Sequence, residues 1–211
     1  MKISYAMLVH NETDTLENLL QFLVDKKDPE DEIVILDDYS TNPKTKEILD
    51  GYVSLYDMKF DRRHLRGDFA GQKNALRLMC EGDWIFNLDS DETPHKMMFK
   101  NLKNILQYND DIEMFYVPRV NTVSGLTERH IMTWGWNVNE KGWVNFPDWQ
   151  PRIWQNRSHI FWDRSVHERL KGFKSYSFLP EEERFSIIHP KTIEQQEKQN
   201  AMYSKIMMGT K

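Results

Sequence analysis

The sequence contains one cysteine, no long apolar run and no concentration of positive charge. A single thiol, Cys80, excludes an internal disulfide and a cysteine-based zinc cluster, and its helical context ALRLMC predicts a buried, inert group. No segment approaches the roughly 20 apolar residues that span a bilayer. The opening MKISYAMLVHNE is interrupted by polar residues too soon for a signal peptide. We therefore expect a cytoplasmic protein without a transmembrane segment.

The net charge of -5 is spread along 211 residues, and the one basic run is RRHLR at 62–66. A nucleic-acid-binding protein would need a basic face, so no nucleic-acid partner is predicted. The length predicts a single domain over residues 1–211, with a nucleotide-binding half at 1–110 and a second half at 111–211. The last segment stays helical in pattern, which fits a domain followed by additional C-terminal domains in a longer chain.

Strand and helix patterns alternate through the first half. Near-continuous apolar runs predict buried strands at 3–9, 32–37 and 83–88, with a weaker strand at 58–60. Helical spacing follows each strand, including a helix at 68–80 and another with Thr93 as N-cap and Pro94 at its first position. From Ile112 onward only short strand-like pieces occur. The predicted fold class is α/β, with a mostly parallel central sheet flanked by helices and an irregular second half.

Polar clusters follow three of these strands. They are His10-Asn11-Glu12, Asp37-Asp38 with Ser40-Thr41, and Asp89-Ser90-Asp91-Glu92. The carboxyl ends of parallel strands meet at one edge of the sheet, where open α/β folds bind ligands. The sequence therefore predicts that the three clusters line one site.

Asp89 and Asp91 are separated by one residue at a strand end, so their carboxylates project to the same side. Such a pair can hold Mg²⁺ or Mn²⁺ while leaving positions for the phosphates of a substrate. A solvated acidic turn that caps the next helix is the alternative. The preceding apolar run WIFNL and the helix start at Thr93-Pro94 favour the ligand site.

Several motifs together resemble the GT-A fold glycosyltransferases of the family 2 type. They are LVHNE at 8–12, ILDDYST at 35–41, GDFAGQKNAL at 67–76, DWIFNLDSDE at 83–92, and the late segments with VHER and SIIHP. The resemblance covers roughly residues 3 to 190. It implies a GT-A type, Rossmann-like sheet with an acceptor-side second half. It also implies transfer of a sugar, as by a hexosyl- or deoxyhexosyltransferase, from a UDP-sugar to a hydroxyl of a glycan acceptor.

The resemblance assigns roles to single residues. Asp37 or Asp38 would bind the uracil or ribose. Asp89 would contact the ribose or a metal-bound water, and Asp91 would ligate Mn²⁺ or Mg²⁺, with His189 as a late metal ligand or a merely structural histidine. The remaining donor-site candidates would line the base or neutralise pyrophosphate charge. They are Val9, His10, Asn11, Arg66, Lys73 and Ser90. The two cations among them, Arg66 and Lys73, could equally be surface residues.

An inverting transferase also needs a base for the acceptor hydroxyl. Glu168 in VHER is the first candidate, Asp148 in FPDWQ and Asp163 in FWDR are the others, and an ion pair of Glu168 with Arg164 or Arg169 is the structural alternative. His167 could position the acceptor or the phosphate. The stereochemical outcome stays open at this stage.

Tryptophan is concentrated at 134, 136, 143, 149, 154 and 162. Indole rings are bulky and their N–H groups need partners, so we expect about half in the core and the others against an acceptor sugar. The aperiodic stretch TWGWNVNEKGW predicts a mobile acceptor or lid loop.

Other classes remain open. A nucleotidyltransferase shares the topology but usually carries a Gly-rich basic loop after the first strand, and LVHNETD has neither feature. A two-metal nuclease could use DSDE, although a long polyanion would favour a more basic surface. A binding module without turnover would keep the same fold.

Overall fold

The structure is a computed structural model that describes residues 1–209, with side chains described through residue 201. The strands are β1 Ile3–Val9, β2 Glu32–Asp37, β3 Lys59–Arg62, β4 Trp84–Asp89, β5 Thr93–Pro94, β6 Met114–Val117, β7 Arg119–Ser124, β8 Gln150–Gln155, β9 Phe161–Asp163, β10 Arg169–Lys171, β11 Tyr176–Phe178 and β12 Ile187–Thr192. The helices are α1 Asp14–Lys26, α2 Pro43–Tyr56, α3 Phe69–Met79, α4 Lys96–Tyr108, α5 Glu128–Trp134 and α6 Ile193–Gly209.

The central sheet has the strand order β11-β6-β8-β4-β1-β2-β3. Strands β4, β1, β2 and β3 are parallel, and β8 runs antiparallel to both β4 and β6. One face is covered by α1, α2 and α4, and the other by α3 and the β9–β10 hairpin. Both faces of β1 and β2 are therefore buried, which explains their continuous apolar sequences.

The predicted strands at 3–9, 32–37 and 83–88 correspond to β1, β2 and β4, and the helix at 68–80 corresponds to α3. Asp68 begins that helix by accepting a hydrogen bond from Gly71 N at 3.0 Å. The prediction that Thr93 caps the next helix is wrong, because Thr93 and Pro94 form β5 and pair with β12. The cap of α4 is instead His95, whose ring accepts from Met97 N.

A second sheet, in the order β5-β12-β7, lies beside the first. Its central strand runs parallel to β7, with His189 in register with Asn121. This small sheet places residues from the end of the chain next to the loop that follows β4.

Helix α6 follows β12 directly, and the final two residues of the predicted C-terminal helical pattern lie outside the described part of the chain. No helix among the described residues has both the length and the apolar character required to cross a membrane.

Candidate active site

The carboxyl ends of β1, β2 and β4 open into a cavity of about 780 Å³. Residues from the loops after all three strands line it, as the sequence predicts: His10 and Glu12, Asp38, and Asp89 to Asp91. Further lining residues come from α3, the segment 166–168, β7, β12 and α6. The cavity thus lies between the regular first half and the irregular second half.

Asp37 and Asp38 have different environments. Asp37 is fully buried and accepts hydrogen bonds from the backbone N of Ser40 at 3.0 Å and from its Oγ at 2.5 Å. Asp38 lines the cavity, and its Oδ1 accepts from Leu65 N at 2.9 Å. Asp37 therefore holds the loop, and Asp38 is the carboxylate that a ligand in the cavity would meet.

The residues at and just after the end of β1 have two roles: some line the cavity, and one fixes the neighbouring loop. Val9 and His10 line the cavity, and His10 Nδ1 lies 2.9 Å from the carbonyl oxygen of Asp38. Asn11 adopts a left-handed φ of 68°, and its Oδ1 accepts from Thr41 N at 2.7 Å and Asn42 N at 2.8 Å. Asn11 therefore fixes the start of α2, and it does not belong to the described cavity wall.

The acidic end of β4 is neutralised by two arginines. Arg152 is 3% exposed; its guanidinium is paired with Asp89 and donates to Glu92 Oε1 at 2.6 Å. Glu92 is fully buried and also accepts from Arg119 Nη1 at 2.9 Å. Burial opposes ionisation of Asp89, but Arg152 and Lys73 hold its pKa well below the usual range. Asp89 is therefore a carboxylate already compensated by protein charge, and its side chain lines the cavity.

Asp148 is committed to orienting Arg119. Its Oδ2 accepts from Arg119 Nε at 2.9 Å, Arg119 Nη2 at 2.7 Å and Asn121 Nδ2 at 2.7 Å. Asp163 is paired with Lys171 at 2.7 Å on the surface. Among the lining residues that the structure describes, Glu168 is thus the one base candidate in the cavity wall.

Glu168 is paired with Lys73 rather than with Arg164 or Arg169. Lys73 Nζ donates to Glu168 Oε1 at 2.6 Å and lies 4.3 Å from the centroid of the Trp162 ring. Lys73 is 9% exposed, so this pair is screened from bulk water. The pair joins α3 to the turn before β10 and holds the carboxylate at the cavity.

His167 also lines the cavity, with a left-handed φ of 56°. Ser90 lines it as well, from within the loop after β4. Arg66 is exposed and lies outside the described cavity wall.

Asp91 and His189 meet across the cavity floor, with His189 Nε2 3.1 Å from Asp91 Oδ2. The orientation of Asn121 is fixed because its Nδ2 donates to Asp148, so its Oδ1 faces His189 Nδ1 at 2.7 Å. His189 must therefore carry its proton on Nδ1. A lone pair at Nε2 would repel the Asp91 carboxylate unless a proton or a cation lies between them.

These two side chains fit a divalent cation that completes its coordination with water and substrate phosphates. The described residues contain no cluster of three or more His, Cys, Asp or Glu side chains arranged to hold a metal ion. Burial raises the pKa of Asp91, but the hydrogen bond and charge of a His189 ring that carries a second proton at Nε2 bring it below its usual value. Asp91 is therefore available as a carboxylate ligand.

Sequence reasoning missed the cations Arg119, Arg152 and Lys191. Burial lowers the pKa of Lys191, whose Nζ donates to Gln199 Oε1 at 2.7 Å. A weak signal existed for Arg152, which stands between apolar residues in the strand QPRIWQ. No comparable signal distinguishes Arg119 or Lys191 from surface cations.

The tryptophans divide between buried and half-buried positions. Trp154 and Trp162 are buried and meet edge to face, with centroids 5.6 Å apart. Trp136 lines the cavity, and its ring centroid lies 4.7 Å from that of Trp134. Trp143 packs on Phe146.

The family model described as Glycosyl transferase family 2 matches residues 4–185. The lipopolysaccharide core biosynthesis glycosyltransferase LpsC of Rhizobium meliloti is 34% identical over 89 residues, which is 42% of this chain and 32% of LpsC. The match therefore spans about a third of the length of this curated relative.

Solved structures of S. aureus TarS are similar to this chain. One has a TM-score of 0.59 at 16% identity and covers 92% of this chain and 37% of that chain. TarS 1-349 in complex with UDP gives a TM-score of 0.60 at 16% identity, and the complex with UDP-GlcNAc gives 0.59 at 17%. These two matches cover 90% of this chain and 60% and 59% of theirs. The likeness confirms the predicted α/β fold class.

Proposed function

Because this chain belongs to glycosyl transferase family 2, we propose that it transfers a sugar from a UDP-sugar to a hydroxyl group of a glycan acceptor. The observation that carries the proposal is one cavity in which Asp38, the Asp91–His189 pair and Glu168 all take part. Each would meet one requirement of the reaction: Asp38 the binding of the nucleoside, the Asp91–His189 pair the binding of the diphosphate, and Glu168 the activation of the hydroxyl.

The nucleoside would bind between Val9, Asp38 and Leu65. All three line the cavity, and Leu65 N already donates to Asp38 Oδ1, which leaves the other carboxylate oxygen to accept from a ring N–H or a ribose hydroxyl. TarS 1-349 was solved with UDP and with UDP-GlcNAc. That supports uridine for this chain without identifying its sugar.

The diphosphate would lie toward Asp91, His189 and Lys191. We propose that Asp91 and His189 hold Mn²⁺ or Mg²⁺, which when bound supplies positive charge as the leaving diphosphate forms. Arg119 and Arg152 pair with Asp89, Glu92 and Asp148, so most of the fixed negative charge beside the diphosphate is compensated before any ligand enters. Such preorganisation spares the site a rearrangement during the reaction.

Glu168 would accept the proton of the acceptor hydroxyl as its oxygen attacks the anomeric carbon from the side opposite the departing diphosphate. This single displacement forms the new glycosidic bond, breaks the bond to the diphosphate and inverts the anomeric carbon. Its carboxylate is fixed by Lys73 and lines the same cavity as the loops after β1 and β2. A base must lie within hydrogen-bond reach of the hydroxyl that it activates. Asp148 is bonded to Arg119 and Asp163 is paired with Lys171, and neither residue is among the described cavity-lining residues, which favours Glu168 as the base.

Calorimetric titration of UDP with Mn²⁺, and again with EDTA, tests this function. Wild-type protein should bind UDP with Mn²⁺, and Asp91→Ala should lose that binding while keeping its thermal midpoint. Asp163→Asn, a surface carboxylate, is the matched control and should bind as wild type. If UDP does not bind in either buffer, the donor assignment is wrong; if binding is equal in EDTA, the metal assignment is wrong.

A further inference from the structure

The cavity has two chemically different walls. The wall formed at the carboxyl ends of β1, β2 and β4 carries charged side chains. The lining residues contributed by the segment 121–145 and by α6 are uncharged throughout, and those used below are Trp136, Gln196 and Gln199. Amide and indole groups together form this second wall.

Hydrogen bonds orient the two glutamines of α6. Lys191 Nζ can only donate, so Gln199 must turn its Oε1 toward Lys191, at 2.7 Å, and its NH₂ elsewhere. Gln196 Nε2 donates to Asn200 Oδ1 at 2.9 Å, which leaves the Gln196 carbonyl as an acceptor. One turn of α6 thus offers a fixed amide donor and a fixed amide acceptor at the cavity.

Trp136 is held in place by a backbone hydrogen bond and by neighbouring aromatic rings. Its backbone N bonds to Ile131 O at 3.1 Å, and its ring contacts Trp134 at 4.7 Å between centroids. Trp134 in turn stacks on His130 at 5.1 Å, and His130 Nε2 lies 3.8 Å from Glu197 of α6. The indole and the glutamines therefore belong to one connected wall.

We propose that this wall binds an uncharged sugar ring of the acceptor, with its apolar face on Trp136 and its hydroxyls on Gln196 and Gln199. The inference rests on the proposed glycosyl transfer and names the chemical class of its acceptor. A sugar ring has an apolar C–H face and a polar edge, and the indole and amides match these two surfaces. An acidic sugar would lose hydration here without gaining a cationic partner of its own, because Lys191, which is bonded to Gln199, is already assigned to the diphosphate in the proposed function.

Saturation-transfer NMR on the full chain with UDP and the diamagnetic ion Mg²⁺ tests the inference. The probes are methyl β-glucoside, methyl β-galactoside, methyl α-mannoside and the acidic methyl β-glucuronide. At least one neutral probe should receive saturation and the glucuronide should not. Trp136→Ala should weaken the neutral probe about tenfold or more, the size of loss expected for an aromatic contact. Trp136→Phe should restore most of it.

Trp143→Ala is the matched control, because Trp143 packs on Phe146 and under Lys141, outside the described cavity wall. It should leave the probe signals unchanged. The UDP resonances report donor binding in the same samples, so their loss in wild-type protein would count against the proposed function. If UDP binds but no neutral glycoside does, if the glucuronide binds equally well, or if Trp136→Ala has no effect, the neutral-sugar subsite is wrong.

Discussion

His189 Nε2 lies 3.1 Å from Asp91 Oδ2, although the two residues are 98 positions apart in the sequence. The contact forms because β12 pairs with β5, directly after the Asp91 loop. With the His189 proton held on Nδ1 by Asn121, a cation at Nε2 would satisfy both groups.

We therefore predict that His189→Gln weakens Mn²⁺ binding about tenfold or more, as loss of a metal ligand does. Mn²⁺ titration followed by electron paramagnetic resonance gives the affinity. His159→Gln, which alters a surface histidine paired with Glu113, should leave it unchanged. Equal Mn²⁺ affinity in both variants would show that His189 is structural.

Glu168→Gln should lower the turnover number by about 10²-fold or more while the UDP affinity stays within twofold of wild type. The amide keeps the shape of the side chain and removes the proton acceptor. Single-turnover transfer and calorimetry of UDP separate the two effects. Asp163→Asn is the control, and a similar loss in that variant would remove the argument for Glu168.

Arg152→Met should destabilise the protein by about 3–5 kcal/mol, because it leaves the fully buried Glu92 with less compensation and Asp89 without its main partner. Urea unfolding measures the change. Arg157→Met, at an exposed position in the turn after β8, should change stability by less than about 0.5 kcal/mol. A loss under about 1 kcal/mol for Arg152→Met would mean that the network relaxes around the missing charge.

Gly172→Ala should be strongly destabilising. Gly172 has a φ of 91°, and an added Cβ would lie 1.7 Å from the carbonyl oxygen of His159. Gly51, in the middle of α2, has no atom within 4 Å of the same addition, so Gly51→Ala should stabilise the helix by up to about 1 kcal/mol. Thermal midpoints that move in opposite directions would confirm both expectations.

Burial raises the pKa of Cys80 from 9.0 to about 12. Between these values the unfolded thiol ionises and the folded thiol does not, so this group lowers stability as pH rises, by about 1.4 kcal/mol per unit. Urea unfolding at pH 9, 10 and 11 should show a shallower decline in Cys80→Ala than in wild type. Parallel declines would mean that the thiol ionises in the folded protein.

The elements that sequence reasoning identified share a local signal. Strands β1, β2 and β4 are buried on both faces and therefore read as near-continuous apolar runs, and the polar loops come directly after their ends. The convergence of those loops needs only the rule for parallel strands. Asp38 and Asp91 could be placed at the site on that basis.

The remaining features depend on contacts between distant segments. Thr93-Pro94 has the composition of a helix start, but pairing with β12 makes it a strand. The burial of Arg119 and Arg152 depends on Glu92 and Asp148, which lie 27 to 60 residues away in the sequence. Asp148 itself could be a base or a partner for arginine, and only the folded chain distinguishes the two.

The position of β8 also affects how the chain folds during its synthesis. Strand β4 is complete by residue 89, but the neighbour on its outer side is residues 150–155. During synthesis the edge of β4 must therefore stay unpaired until residues 150–155 have left the ribosome. Unpaired edges invite pairing with other chains. A fragment that stops before residue 150 should consequently be prone to aggregation, and residues 111–211 supplied separately should relieve it by providing the missing strand.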